Sequence, residues 1–248
     1  MGRVFRAAAL VPSPPLLVPE LTGRVSVVDS PAGEVIRLRE AARAAAAVLG
    51  TAADRWIAVG SAEKSTRISS RSAGTFAGFG VDVRVGLSPG SATNDEDLPL
   101  PALIAGWLRG DVAPQAAVDV VLVGTDTPFE HCRTAGEALG AEMDERPGDW
   151  GLLVVADGAT TLTAKAPGSF DARAEGVQSQ IDDALARADT DALASIDRGL
   201  CAELGVDGWE AWQALAGVVG DRPMVARTLY RGAPFGVGYF VGTWEPLS

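Results

Sequence analysis

The 248-residue sequence predicts an α/β protein with three layers, α/β/α, in which helices cover both faces of a mostly buried, mixed central sheet. Apolar runs of strand length alternate along the chain with longer amphipathic stretches, which is the pattern of α/β proteins. Two of the runs, Val118–Gly124 and Trp150–Asp157, are almost wholly apolar, as expected for strands covered on both faces. Neither an internal repeat nor a linker of biased composition divides the chain, so we expect one domain over residues 1–248.

The first half of the chain carries strand and helix signals in turn. Val4–Val11 reads as a strand, which the Pro-Ser-Pro-Pro segment at 12–15 ends because proline cannot continue a hydrogen-bonded ladder. Ser30 and Pro31 predict the start of a helix, and Gly50 predicts its end. The same reasoning predicts strands at Arg55–Gly60 and Val81–Gly86 and a helix at Leu100–Leu108.

The second half repeats this alternation. We expect Val118–Gly124 and Trp150–Asp157 to be adjacent interior strands of one sheet. Asp171 is a candidate cap for a helix that runs to about Ala188. The remaining signals predict helices at Asp191–Glu203 and Gly208–Val219 and closing strands at Met224–Tyr230 and Gly236–Trp244.

The charge and cysteine content exclude several classes of function. The formal net charge is −11, which repels phosphate backbones and anionic lipid, so we expect neither a nucleic-acid nor a membrane partner. No apolar run approaches the 18 residues or so of a membrane-spanning helix. The chain has 2 cysteines, too few for a disulfide framework, which indicates a reducing compartment and predicts a cytoplasmic protein.

The chain contains a single histidine, His131, and this excludes any mechanism that needs two imidazoles. The segment Asp126–Cys132 places two carboxylates, the imidazole and a thiol close together after a buried strand, where α/β proteins commonly bind ligands. The alternative is a loop that enters a helix and carries a hydrogen-bonded histidine, because no recognised motif spacing is present. His131 is therefore one candidate ligand-binding residue.

Three segments resemble the LigB-type class III extradiol ring-cleavage dioxygenases. ALVPSPPLLVPE at residues 9–20 is similar to the family's opening strand, which ends in Pro-His-Pro-Pro. VADGATTLTAKAPGSFD at 155–171 resembles the family signature Gly-Asp-x-Ser-His-x-Leu-Thr-x-x-Ala-Pro, and APFGVGYFVG at 233–242 resembles its last strand. The three segments occur in the family's order, with strands and helices in a compatible order between them, so the resemblance extends over most of the chain and implies a LigB-like fold.

The resemblance also identifies where the family's chemical groups would lie, and this chain departs from the family at each position. Ser13 stands where the family has its first iron-binding histidine. Glu63, or alternatively Ala62, stands at the second histidine, and Thr160 replaces the acid–base histidine. Hydroxyl groups are weak ligands for ferrous iron compared with imidazole, and the unionised threonine hydroxyl cannot act as a general acid or base near pH 7.

The family's third iron ligand is a carboxylate from the last third of the chain, for which Glu203 and Glu210 are both candidates. Because the imidazoles are missing, we expect no iron cofactor and no ring cleavage by the family's mechanism. A carboxylate-rich replacement would favour hard ions such as Mg²⁺ over iron.

Three interpretations follow. The favoured one is a family member that keeps the fold and pocket, has lost the iron, and binds a small molecule or a partner in a cleft lined by Ser13, Glu63, Asp157 and Thr160. The second is an enzyme with altered chemistry, which uses Glu63, Asp157 and a C-terminal carboxylate to hold Mg²⁺ or Mn²⁺. The third is a structural or assembly subunit, with self-association into a homo-oligomer, since dioxygenases of this family often work as assemblies.

Overall fold

The computed structural model describes residues 5–22 and 31–247, which form ten strands and eight α-helices within those ranges. The strands are β1 (Phe5–Val11), β2 (Arg55–Ala62), β3 (Thr66–Ile68), β4 (Ser72–Thr75), β5 (Arg84–Gly86), β6 (Thr93–Asn94), β7 (Ala117–Gly124), β8 (Trp150–Val155), β9 (Met224–Gly232) and β10 (Tyr239–Pro246). The helices are α1 (Pro19–Thr22), α2 (Pro31–Ala52), α3 (Leu100–Val112), α4 (Phe129–Glu145), α5 (Ala174–Arg187), α6 (Thr190–Ser195), α7 (Arg198–Glu203) and α8 (Trp209–Val219).

Seven of the strands form the central sheet in the order β3-β7-β2-β8-β1-β10-β9, and β5-β4-β6 form a second, small sheet. The four middle strands β7, β2, β8 and β1 are parallel, whereas β3, β10 and β9 join antiparallel. The predicted mixed sheet is therefore confirmed. Because the middle strands are parallel, the carboxyl ends of all four meet at one edge of the sheet.

Helices cover both faces of the central sheet. Successive residues of β8 point to opposite faces, since Leu152 packs in the core beneath α4, α5 and α8, while Leu153 packs in the core beneath α2 and α3. The buried tryptophans divide in the same way, with Trp212 and Trp244 on the first side and Trp56 on the second. The three-layer α/β/α architecture predicted from the sequence is confirmed.

The expectation that the two apolar strands are neighbours is wrong. β7 and β8 are both interior strands, but β2 lies between them and pairs in parallel with each. Val59 of β2 lies in register with Val121 on one side and with Val154 on the other. β2 is also largely apolar. An apolar run indicates that a strand is buried, but it does not indicate which strand lies beside it.

Several predicted elements have different bounds in the structure, among them α3, which runs on to Val112, and β10, which begins at Tyr239. The predicted cap at Asp171 is wrong, because α5 begins at Ala174 with Arg173 at its N-cap and without a side-chain hydrogen bond there. α2 continues through Gly50 to Ala52, so Gly50 does not end the helix. The glycine allows Ala113, at the end of α3, to approach closely, because a Cβ at position 50 would lie 2.7 Å from the Cβ of Ala113.

The predicted helix over 191–203 is two short helices, since the Asp197 carboxylate accepts the Leu200 N–H and starts α7. The strand predicted at 81–86 is limited to β5, at Arg84–Gly86, and it belongs to the small sheet. The predicted cap at Ser30 lies outside the described residues.

α4 and α8 pack with almost no side chain between them. A Cβ on Gly136 of α4 would overlap the backbone of Ala214, and one on Gly217 of α8 would overlap the backbone of Arg133. This close approach fixes α8 against the sheet and so determines where its first turn lies. Over residues 5–22 and 31–247, none of the helices has both the length and the apolar character needed to cross a membrane.

Candidate functional site

A cavity of about 690 Å³ lies at the edge where the parallel strands end, a volume within the usual range of small-molecule sites. Its walls come from the loops after β7 and β8, from α7, and from the segment that leads into α8. The polar lining residues are Thr125, Asp126, Thr160, Arg198, Asp207 and Glu210, and the larger apolar ones are Val206 and Trp209. This is the position at which open α/β sheets generally bind ligands.

Glu210 is the buried carboxylate of the cavity. It is the second residue of α8 and is only 6% exposed. The Ser61 hydroxyl, at the end of β2, donates to Oε2 at 3.3 Å, and Arg198 Nη2 lies 4.0 Å from Oε1. Burial raises the pKa of Glu210, while these two neighbours and the first turn of the helix favour the ionised form.

Arg198 crosses one side of the cavity and contacts three kinds of acceptor. Its Nη2 donates to the carbonyl oxygen of Thr125 at 2.5 Å, and its guanidinium carbon lies 5.5 Å from the centre of the Trp209 ring. The same Nη2 is the atom that faces Glu210. A basic side chain is thus held between an indole face, a carbonyl oxygen and a carboxylate.

Ser13 and Asp157 form a tight pair between neighbouring strands. The Ser13 backbone N–H donates to Oδ1 of Asp157 at 2.8 Å, and the Ser13 hydroxyl donates to Oδ2 at 2.5 Å. Burial raises the pKa of Asp157 to about 6; the two hydrogen bonds from Ser13 oppose this rise, and the nearby charge of Asp207 adds to it. Burial also raises the pKa of Asp207, and burial with the charge of Asp157 raises that of Tyr239.

The structure brings some of the predicted residues together and separates others. Ser13 and Asp157 are in direct contact with each other, but neither lines the cavity; of the four residues predicted to line one cleft, Thr160 alone belongs to this lining. Glu63 is exposed just beyond the end of β2 and lies outside the lining, because the chain turns there toward β3. The side chain that β2 contributes next to the cavity is Ser61, which reaches Glu210.

His131 also lies outside the cavity lining. It is exposed in the first turn of α4, and its backbone N–H donates to the carbonyl oxygen of Pro128. Its neighbours in sequence behave differently: Asp126 lines the cavity, and Cys132 is buried in the core. The segment 126–132 is thus a loop that enters α4 and contributes Asp126 to the cavity, and the N-cap of α4 is Pro128, with no side-chain cap from Thr127.

The two candidates for the C-terminal carboxylate occupy different surroundings. Glu210 lines the cavity and is buried, whereas the Glu203 side chain is 62% exposed and pairs with Arg173 at 2.8 Å. Sequence reasoning did not find Arg198, Asp207 or Trp209. They lie on two short helices and the turn between them, and no spacing in the sequence distinguishes them from ordinary surface and core residues.

The family's iron does not fit these residues. Ser13 uses its hydroxyl proton to bind Asp157, and the Thr160 hydroxyl lies 3.5 Å from the carbonyl oxygen of Leu204. Among the residues that the structure describes, no three His, Cys, Asp or Glu side chains are grouped so that they could hold a metal ion. Glu63 and Asp157, which the Mg²⁺ interpretation requires at one point, do not share the cavity lining.

The fold and the cavity define a three-layer α/β protein with a polar pocket at the carboxyl edge of its sheet. The sequence matches no protein-family model and no curated protein. Among solved structures, it is similar to the crystal structure of uncharacterized protein JW3007 from Escherichia coli K12, with 13% identity and a TM-score of 0.49. That similarity covers 97% of this chain and 99% of the other, and it is too low to indicate a shared function.

Proposed function

We propose that the protein is a LigB-like, extradiol dioxygenase-family protein that has lost the iron site and binds a small molecule in the cavity without catalysing ring cleavage. The observation that carries this proposal is the cavity of about 690 Å³, into which Glu210, Arg198 and Trp209 converge from α7 and α8. Apolar side chains such as Val206 and Trp209 beside convergent polar groups are typical of small-molecule sites. The proposed partner is a small molecule, and neither nucleic acid nor a membrane.

Two features support the loss of iron chemistry. The chain has 1 histidine, and that residue is on the outer surface of α4, away from the cavity lining. Ser13 stands at the position of the family's first iron ligand, and its backbone N–H and hydroxyl both donate hydrogen bonds to the Asp157 carboxylate. The Ser13 hydroxyl donates to the Asp157 carboxylate at 2.5 Å, and a neutral hydroxyl oxygen is a weak ligand for ferrous iron compared with the imidazole that the family has at this position.

A ligand screen with a cavity-filling variant tests the proposal. A library of small aromatic and aliphatic molecules, balanced between cations, anions and neutral compounds, is screened by ligand-observed NMR against the wild-type protein. Ala202 lines the cavity and is exposed, so Ala202→Trp should fill the space and abolish binding of the hits. Ala44→Trp, on the exposed side of α2, is the matched control and should bind like the wild type.

The proposal fails if no member of the library binds, or if every hit binds the Ala202→Trp variant as well as it binds the wild type. It also fails if the purified protein takes up about one ferrous ion per chain and then consumes oxygen with a catechol. Anaerobic iron loading followed by an oxygen-electrode measurement gives that answer directly.

A further inference from the structure

The cavity lining carries more negative than positive charge. Asp126, Asp207 and Glu210 contribute three carboxylates, and Arg198 contributes the one guanidinium in the lining. The whole chain has the same sign, with a net charge of −11. Such a field attracts cations toward the cavity and repels anions from it.

The buried carboxylate of Glu210 is incompletely paired. The hydrogen bond from Ser61 is long for a hydroxyl donor, at 3.3 Å. The nearest Arg198 nitrogen lies 4.0 Å from Oε1, which is beyond hydrogen-bond distance. A carboxylate that is 6% exposed and lines a cavity gains most from a donor that the ligand supplies.

The contacts of Arg198 show that this side of the cavity binds a cationic group. Its guanidinium lies over the indole of Trp209 and donates to the carbonyl of Thr125, next to Glu210. An aromatic face, a carbonyl oxygen and a carboxylate are the groups with which proteins bind organic cations. The Arg198 side chain is 39% exposed, so one side of it faces solvent.

We infer that the cavity takes an organic cation, with a planar amidinium- or guanidinium-type group on an apolar body. Trp209 and Val206 are only 3% and 7% exposed, and Arg198 lies over the Trp209 ring. In the proposed complex Arg198 rotates away, the cationic group takes its place beside the Glu210 carboxylate, and the apolar body packs on the uncovered Trp209 face. This inference rests on the proposed function and adds the chemical class of the ligand.

Three probes of one shape separate charge from fit: benzamidinium, benzamide and benzoate. Isothermal titration calorimetry near pH 7 should give binding in the order benzamidinium, then benzamide, then benzoate. Glu210→Gln keeps the shape of the side chain and removes the charge, so it should weaken benzamidinium roughly 10- to 100-fold and leave benzamide within about twofold. Glu203→Gln is the matched control because Glu203 is exposed and outside the lining, and it should leave all three probes unchanged.

Arg198→Gln removes the competing guanidinium and should tighten benzamidinium several-fold. Retained benzamide binding and an unchanged unfolding midpoint show that each variant is folded. The inference is overturned if benzoate binds at least as tightly as benzamidinium, or if Glu210→Gln leaves benzamidinium unchanged. If neutral or anionic library members bind the cavity and cations do not, the inference fails while the proposed function stands; if nothing binds, both fail.

Discussion

Replacing Asp157 with asparagine should change how the stability of the protein depends on pH. The folded protein raises the pKa of this carboxyl from the ordinary 3.8 to about 6, because burial disfavours its ionised form. The folded state therefore holds this proton more tightly than the unfolded state does. Its contribution to the free energy of unfolding is present at low pH and is lost as the pH rises from about 4 to about 6.

The size of this contribution follows from the two pKa values. Each pKa unit corresponds to about 1.4 kcal/mol, so the full effect of this group is about 3 kcal/mol, of which the wild type should lose about 2 kcal/mol between pH 4 and pH 7. Asparagine is neutral at every pH and has nearly the same shape. It still offers an oxygen to the Ser13 backbone N–H, and the Ser13 hydroxyl can rotate to accept from its amide.

Urea unfolding of both proteins at half-unit steps from pH 4 to pH 8 measures the effect. Near pH 4 the two free energies of unfolding should agree closely, and above pH 6 Asp157→Asn should be the more stable by about 2 kcal/mol. Other carboxyls titrate over the same range, but they cancel in the difference between the two proteins. Two parallel curves, or a variant that is less stable at pH 7 than at pH 4 relative to the wild type, would refute the reasoning.

Asp171 provides a control of opposite sign. The Arg173 guanidinium lowers the pKa of Asp171 to about 2, so its contribution is present above about pH 4 and is lost as the pH falls toward 2. Asp171→Asn should therefore be less stable than the wild type at neutral pH, and the two proteins should converge in acid. The side chain pairs at the surface, so we expect a small effect.

The remaining predictions concern packing and the loop that carries Asp157. Gly136→Ala should destabilise the protein by about 1–3 kcal/mol in urea unfolding, because its Cβ would overlap the Ala214 backbone, whereas Gly110→Ala in open space on α3 should be neutral or slightly stabilising. An equal effect of the two substitutions would contradict the α4–α8 packing. Gln178→Leu should cost about 1–3 kcal/mol and speed amide hydrogen exchange at Ala159, because the Gln178 carbonyl accepts that N–H at 2.9 Å and its amide donates to the Asp182 carboxylate at 2.7 Å. Unchanged exchange at Ala159 would mean that the side chain does not hold the loop. Ser13→Ala should raise the pKa of Asp157 above its wild-type value, since it removes a donor to the carboxylate, and carboxyl-carbon NMR titration would record an unchanged or lowered value if the pair did not form.

The three layers of the fold were predictable because the apolar composition of each strand indicates which of its faces are buried. Leu152 and Leu153 both belong to an apolar run, and a strand with two apolar faces must be covered on both sides. The order of strands was not predictable in this way, because β2, β7 and β8 are apolar to a similar degree. Only their pairing in space places β2 between the other two.

The contact between Ser13 and Asp157 was predictable, although neither residue lines the cavity, because both residues directly follow strands that lie side by side. Ser13 follows β1 and Asp157 follows β8, and these strands are neighbours, so the two side chains meet. Glu63 follows β2 equally closely, but the chain has already turned outward at that residue, and Ser61 reaches the cavity region instead. Arg198 and Asp207 come from α7 and the turn after it, whose place over the sheet depends on tertiary packing that no local pattern records.

The most direct test of the central claim is a ¹H–¹⁵N NMR titration of the wild-type protein with the tightest-binding member of the ligand screen. A small molecule in the cavity should shift the backbone amides of α7 and the first turn of α8 and the indole N–H of Trp209, while the amides of α2 on the other face stay unchanged. Shifts that cluster away from the cavity lining, or saturable binding that leaves the Trp209 indole N–H unmoved, would contradict the account.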